Sequence, residues 1–301
     1  MNGSRTSVSE TAVQGAVPVL KHYMELLKFH LCAYIALSAV FGHVMANRKI
    51  SKESFFLGLC VFLLACGSAV LNNIQDREFD SFFQRTCNRS LPRNRVPIRH
   101  AAGMAVLFIL AGLSGVFSVF GLIPTLAGAA ALISYNGLYT PLKKRSLLAI
   151  LPGSLCGMLP PLIGWTAAGG HPLDSRILLL MLVFGLWQIP HFFIILVKNG
   201  GASPNNQSFP SFSKIFSETE IKLQALIWTS LYSLSILLFA MNGFLNAPAF
   251  VSMSFINAMV IIALVAAAMF KKSTLPSAFA AINLSMLLFI GAGIFSTFWL
   301  A

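Results

Sequence analysis

From Leu27 onward the chain is a succession of apolar runs separated by short polar stretches. In lipid only a helix or a closed barrel satisfies its own backbone hydrogen bonds. These runs are too long and too continuous for barrel strands, which alternate in polarity over about 10 residues. At about 20 residues per helical span, this length accommodates about nine helices. They fall near 27–46, 55–74, 102–120, 121–139, 147–168, 177–197, 223–243, 247–270 and 279–300. The expected fold is therefore all-α: a polytopic membrane protein. Apolar residues make up 56% and charged residues 10% of the sequence, where a soluble domain carries roughly 25% charged. That excludes a soluble enzyme, a disordered protein and a disulfide scaffold. Residues 1–20 are expected as a mobile tail, and 21–301 as a single transmembrane domain.

Lysine and arginine number 21 against nine acids, a net charge of +12. Their placement explains the excess without nucleic acid. Arg48, Lys49, Lys52 and Arg176 fall in the loops of one side, and all the other basic residues fall on the opposite side. Basic loops stay in the cytoplasm, so the N-terminus is expected inside and the C-terminus outside. The first 20 residues, with Arg5 as their one basic residue, lack the apolar core of a signal peptide and the arginine-rich composition of a transit peptide, which points to a bacterial inner membrane. The five cysteines form no C-x-x-C pair, and four lie within apolar spans, where a thiol behaves as a small hydrophobe.

With so few acids, any that border a span are candidates for chemistry. Asn72, Asp76 and Asp80 follow the pattern N-x-x-x-D-x-x-x-D at the end of the second span. On a helix this spacing forms one stripe. An amide and two carboxylates are hard oxygen ligands that suit Mg²⁺ together with substrate phosphates. The alternative is that the carboxylates balance Arg77, Arg85 and Arg89 at a helix end. Arg85 and Arg89, four residues apart, could both face the stripe and bind a diphosphate. No phosphate-binding glycine loop accompanies them.

These residues, with Thr86 and Asn88 between the two arginines, resemble the intramembrane prenyltransferases of the UbiA superfamily. Tyr139-Thr140-Pro141-Leu142-Lys143-Lys144-Arg145, Pro160-Pro161-Leu162-Ile163-Gly164-Trp165 and Trp187-Gln188-Ile189-Pro190-His191-Phe192 are similar to its protoheme IX farnesyltransferase (heme O synthase) branch. The resemblance implies helices arranged around a polar chamber that faces the cytoplasm, and farnesyl transfer from farnesyl diphosphate to a vinyl group of heme b. It makes Mg²⁺ the cofactor, heme b a substrate, and a heme A synthase or oxidase-assembly factor the expected protein partner. Asn72, Asp76 and Asp80 are then the catalytic metal ligands. Arg85, Arg89, Lys143 and Lys198 hold diphosphate, and Lys28, Tyr139 and His191 contact substrate. Two other readings stay open: a quinone or other aromatic or tetrapyrrole acceptor, and a non-catalytic heme- or lipid-handling membrane protein.

The sequence departs from this family where a second acidic cluster normally follows the Pro-His-Phe segment. Lys198-Asn199-Gly200-Gly201-Ala202-Ser203-Pro204 holds no carboxylate. Either Glu218 or Glu220 folds back to supply the missing ligand, or cations such as Lys198 and Lys214 take over the neutralisation. Lys28-Phe29-His30 stands where the family tends to have Lys-Pro-Arg, and Ser90 where it tends to have Pro.

Overall fold

A computed structural model describes residues 20–198, 215–242, 248–270 and 275–298. The described part of the chain is helical, and none of it is strand. Among the described residues nine main helices follow one another: α1 (Phe29–Asn47), α2 (Lys52–Gln75), α3 (Ile98–Phe120), α4 (Leu122–Leu132), α5 (Ile150–Ala167), α6 (Ser175–Lys198), α7 (Glu218–Met241), α8 (Pro248–Phe270) and α9 (Leu275–Phe298). Eight of the helical segments are long and apolar enough to cross a membrane, the first of them as Leu20–Asn47. The exception, α4, is short only as a regular α-helix. It continues as a π-helix over Ile133–Tyr139 and a last turn, Thr140–Leu142, so helical backbone runs from 122 to 142. The chain is a multi-pass membrane protein. Side chains such as Leu107, Leu110, Phe117, Leu122 and Ile123 stand exposed along α3 and α4, as lipid-facing residues do.

Two features depart from the sequence expectation. Residues 20–27 are already helical, and a left-handed residue, Lys28 (φ 49°), sets them off from α1. The acidic stripe is not on one unbroken helix either. α2 ends at Gln75, Asp76 caps it, and Arg77–Ser81 forms a separate turn. The four-residue periodicity survives the break because the Asp76 amide still bonds the Asn72 carbonyl and the Asp80 amide still bonds that of Asp76.

α1 and α5 form the middle of the bundle. On one side α2, α3 and α4 pack in sequence, and on the other α6, α7, α8 and α9 do so, with α9 returning to α1 and α6. The central pair meets backbone to backbone. A Cβ on Gly164 would run into the Ala39 carbonyl, and one on Gly42 into that of Pro161. Small residues at such crossings let helices gain dispersion contact where lipid offers no hydrophobic drive. On the α6–α9 side, Phe41, Tyr232, Phe239, Phe250 and Phe289 pack into a closed aromatic core. Internal space remains between the two halves, lined by α1, α2 and α5 on one side and by α6 and α9 on the other.

Candidate active site

Two cavities lie within the bundle. The larger, about 550 Å³, is lined by α1, α2, α5, α6, α9 and the π-helical continuation of α4. Its wall is mainly apolar (Leu31, Ile35, Leu64, Ile163, Met286), with Tyr139, Lys143, Gln188 and His191 as polar points. The smaller, about 220 Å³, is lined by Glu25, Lys28, Asn73, Asp80, Arg89 and their neighbours.

A string of hydrogen bonds joins the two. Lys28 Nζ donates to Asn72 Oδ1 at 2.8 Å, and Asn72 Nδ2 donates to Asp76 Oδ2 at 2.9 Å and to Thr140 Oγ1 at 3.0 Å. Lys143 Nζ donates to the same Asp76 oxygen, and Lys144 Nζ lies 3.1 Å from the other. Asp80 Oδ2 accepts from Arg89 Nη1 at 2.8 Å. Asn72, Asp76 and Asp80 are all buried. Burial draws the Lys143 ammonium below its ordinary value, and the Asp76 charge beside it pushes back.

The π-helix explains how residues so far apart in sequence meet. Its wider turn brings the Thr140 amide to the Tyr135 carbonyl, and buries Ser134 and Asn136 on the inner face. Asn136 is fixed by Ser68 and Gln75 of α2: Ser68 Oγ donates to its Oδ1 at 2.6 Å, and its own Nδ2 donates to Gln75 Oε1 at 3.1 Å. Tyr135 and Tyr139 stack with ring centroids 5.6 Å apart, and Lys143 Nζ lies 5.3 Å from the Tyr139 ring.

The other sequence candidates divide. His191 stands on the wall of the large cavity between Trp187 (4.8 Å) and Phe279 (5.0 Å), and its buried Nδ1 has no hydrogen-bond partner. Arg85 corrects the expectation that it shares a face with Arg89. It is exposed and lines neither cavity, because residues 82–97 form successive turns rather than a helix, and the four-residue rule fails there. Glu218 and Glu220 do not fold back toward the stripe. Glu220 closes a capping box with Ser217 at the start of α7, and Glu218 pairs with Lys222 at 2.9 Å. The Lys198 side chain and Lys214 lie outside the described residues.

Sequence reasoning missed Lys144, Thr140, Asn136 and Glu25. Glu25 accepts a hydrogen bond from Ser90, which His22 Nδ1 also approaches at 3.2 Å. Lys144 was hidden among three consecutive basic residues read as topology signals, and Glu25 preceded the first expected span. Asn136 offered a signal of its own, as an amide inside an apolar run.

The donor set fits a magnesium ion shared with a ligand. Among the described residues no three His, Cys, Asp or Glu side chains gather as a metal cage. Mg²⁺ does not need one, since it is usually held by one or two carboxylates, waters and substrate phosphates.

Comparison with known proteins gives the chain a family. The model of the UbiA prenyltransferase family matches residues 35–298. The protoheme IX farnesyltransferase of Oleidesulfovibrio alaskensis is 36% identical over 176 residues, which cover 58% of this chain and 62% of the relative. The chain thus matches about three fifths of that protein's length. Its namesake from Geobacter sulfurreducens is 34% identical over 223 residues, covering 74% of this chain and 82% of its own. Among solved structures, a UbiA homolog from Aeropyrum pernix superposes with a TM-score of 0.71 at 16% identity, covering 89% of this chain and 98% of the homolog. A UbiA homolog from Archaeoglobus fulgidus bound to GPP and Mg²⁺ gives 0.61 at 14%, covering 92% and 99%. At such identities the superpositions speak for the fold, and the family match speaks for the ancestry: the chain belongs to the UbiA prenyltransferase family.

Proposed function

We propose that this protein is a Mg²⁺-dependent farnesyltransferase that converts heme b to heme O in the bacterial inner membrane. The observation that carries the reading is the juxtaposition of a buried polar cluster with a large, mainly apolar cavity. Asp76, Asp80 and four cations suit the diphosphate, and the cavity suits the isoprenoid tail and its acceptor. The relatives named protoheme IX farnesyltransferase support heme b as that acceptor.

Asn72, Asp76 and Asp80 would hold the metal, which when bound supplies Lewis-acid activation of the diphosphate. Arg89, Lys143 and Lys28 take up negative charge on the departing oxygens, in a setting where such stabilisation is worth several kcal/mol. The allylic C–O bond breaks and its electron pair leaves with the diphosphate. The farnesyl cation then accepts the π electrons of a heme vinyl group. Water adds to the cation left on that group and loses a proton, giving the hydroxyethylfarnesyl substituent. The stacked Tyr135 and Tyr139 offer a π face to the allylic cation and help keep other water away from it. His191, with its unpartnered buried Nδ1, holds the porphyrin through its iron or a propionate.

The test is mass analysis of hemes extracted from cells expressing the protein, with farnesyl diphosphate supplied to the membranes. Heme O should accumulate, and should not in cells carrying Asp76→Asn. A farnesylated quinone or chlorin instead would transfer the reading to another acceptor, and no prenylated product would leave a heme- or lipid-handling protein. His191→Ala should weaken heme b binding roughly tenfold, followed by titration of the Soret band.

A further inference from the structure

The absence of acids between α6 and α7 leaves a definite electrostatic problem, and the polar cluster answers it. Residues 199–214 contain no carboxylate. Glu218 and Glu220 are committed to the start of α7. Around the stripe, however, among the described residues four cations face three acids: Lys28, Arg89, Lys143 and Lys144 against Asp76, Asp80 and Glu25. These seven described side chains therefore carry one net positive charge. A diphosphate monoester brings roughly three negative charges at neutral pH, and a single divalent cation makes the assembly neutral. A second divalent cation would leave two uncompensated positive charges in a largely buried site, an arrangement that low dielectric penalises.

Resting on the prenyltransferase reading above, we propose that this enzyme binds its prenyl diphosphate with one divalent cation per chain, and that Lys144 beside Lys143 does the neutralising that a second acid-held metal would do. Lys144 is placed for it. Its ammonium lies against Asp76 Oδ1 and donates to the Gln75 carbonyl at 2.6 Å, so it is fixed at the end of α2. With a metal ion on Asp76, both lysines would be free of the carboxylate and available to the diphosphate oxygens.

The experiment uses the full-length protein in nanodiscs with Mn²⁺ as the metal and farnesyl thiodiphosphate as the slowly reacting ligand. Bound Mn²⁺ is counted by electron paramagnetic resonance, and ligand affinity is measured by calorimetry. One Mn²⁺ per chain in the ternary complex is expected. Lys144→Met should weaken the analogue at least about tenfold, and Lys144→Arg should recover most of that loss by keeping the charge. Two tightly bound Mn²⁺ ions per chain, or unchanged affinity in a folded Lys144→Met protein, would overturn the proposal while leaving prenyl transfer intact. The wild-type metal count decides the matter even if the Met variant does not fold. No binding of the analogue with any divalent metal would remove the prenyltransferase reading itself.

Discussion

Asp76 and Asp80 carry the most specific expectation at the scale of single residues. Asp76→Asn or Asp80→Asn should lower prenyl transfer by about 10²-fold or more while the protein still elutes as a folded species from detergent. Full activity in both variants would remove the metal site. Arg85 and Arg89 form a matched pair for the same assay. Arg89→Ala should raise the apparent KM for the diphosphate substrate, because its guanidinium lies on Asp80 beside the small cavity. Arg85→Ala should leave it unchanged, because that side chain faces outward. The pair also marks the limit of spacing arguments. Asn72, Asp76 and Asp80 could be read as a stripe because i, i+4 hydrogen bonds persist through the break at Asp76. The same spacing misled at Arg85, where no regular helix exists to carry it. Lys144 and Glu25 were illegible for a different reason: only tertiary packing decides which of three adjacent basic side chains turns inward, and only packing brings a lone acid ahead of the first span onto Ser90.

Among the elements, α1 and α5 depend most on a single residue type. Gly164→Leu should destabilise the bundle by about 1–3 kcal/mol, read as a lowered Tm in detergent, because a side chain would have to enter the Ala39 backbone. α7 gives the opposite kind of test. Glu220→Gln keeps a neutral capping partner for Ser217, so it should cost at most about 1 kcal/mol. The Mg²⁺ dependence of transfer should not move with either Glu220→Gln or Glu218→Gln, and a shifted metal titration would return these acids to the active site. Helix positions were readable from hydropathy to within a few residues. The π-helix of 133–139 was not, since a wider helical turn leaves no mark on apolar periodicity. Its origin lies in packing, where Asn136 reaches across to Ser68 and Gln75.

For the whole molecule, the asymmetric distribution of lysine and arginine yields a topology that can be checked directly. In a cysteine-free background, a cysteine in place of Asp174 should react with a membrane-impermeant maleimide added outside right-side-out vesicles. One in place of Arg145 should react only after the vesicles are opened, and the reverse pattern would invert the proposed orientation. The ion pairs at the stripe have a further consequence for handling the protein. Asp76 and Asp80 already have cationic partners before any substrate arrives, so each buried carboxylate keeps a counterion when the sample is stripped of divalent ions. Chelator-treated protein should therefore melt within a degree or so of untreated protein, unlike domains whose architecture collapses with their ion. EDTA would silence the enzyme yet leave its scaffold standing, and adding back Mg²⁺ should restore turnover without a refolding lag.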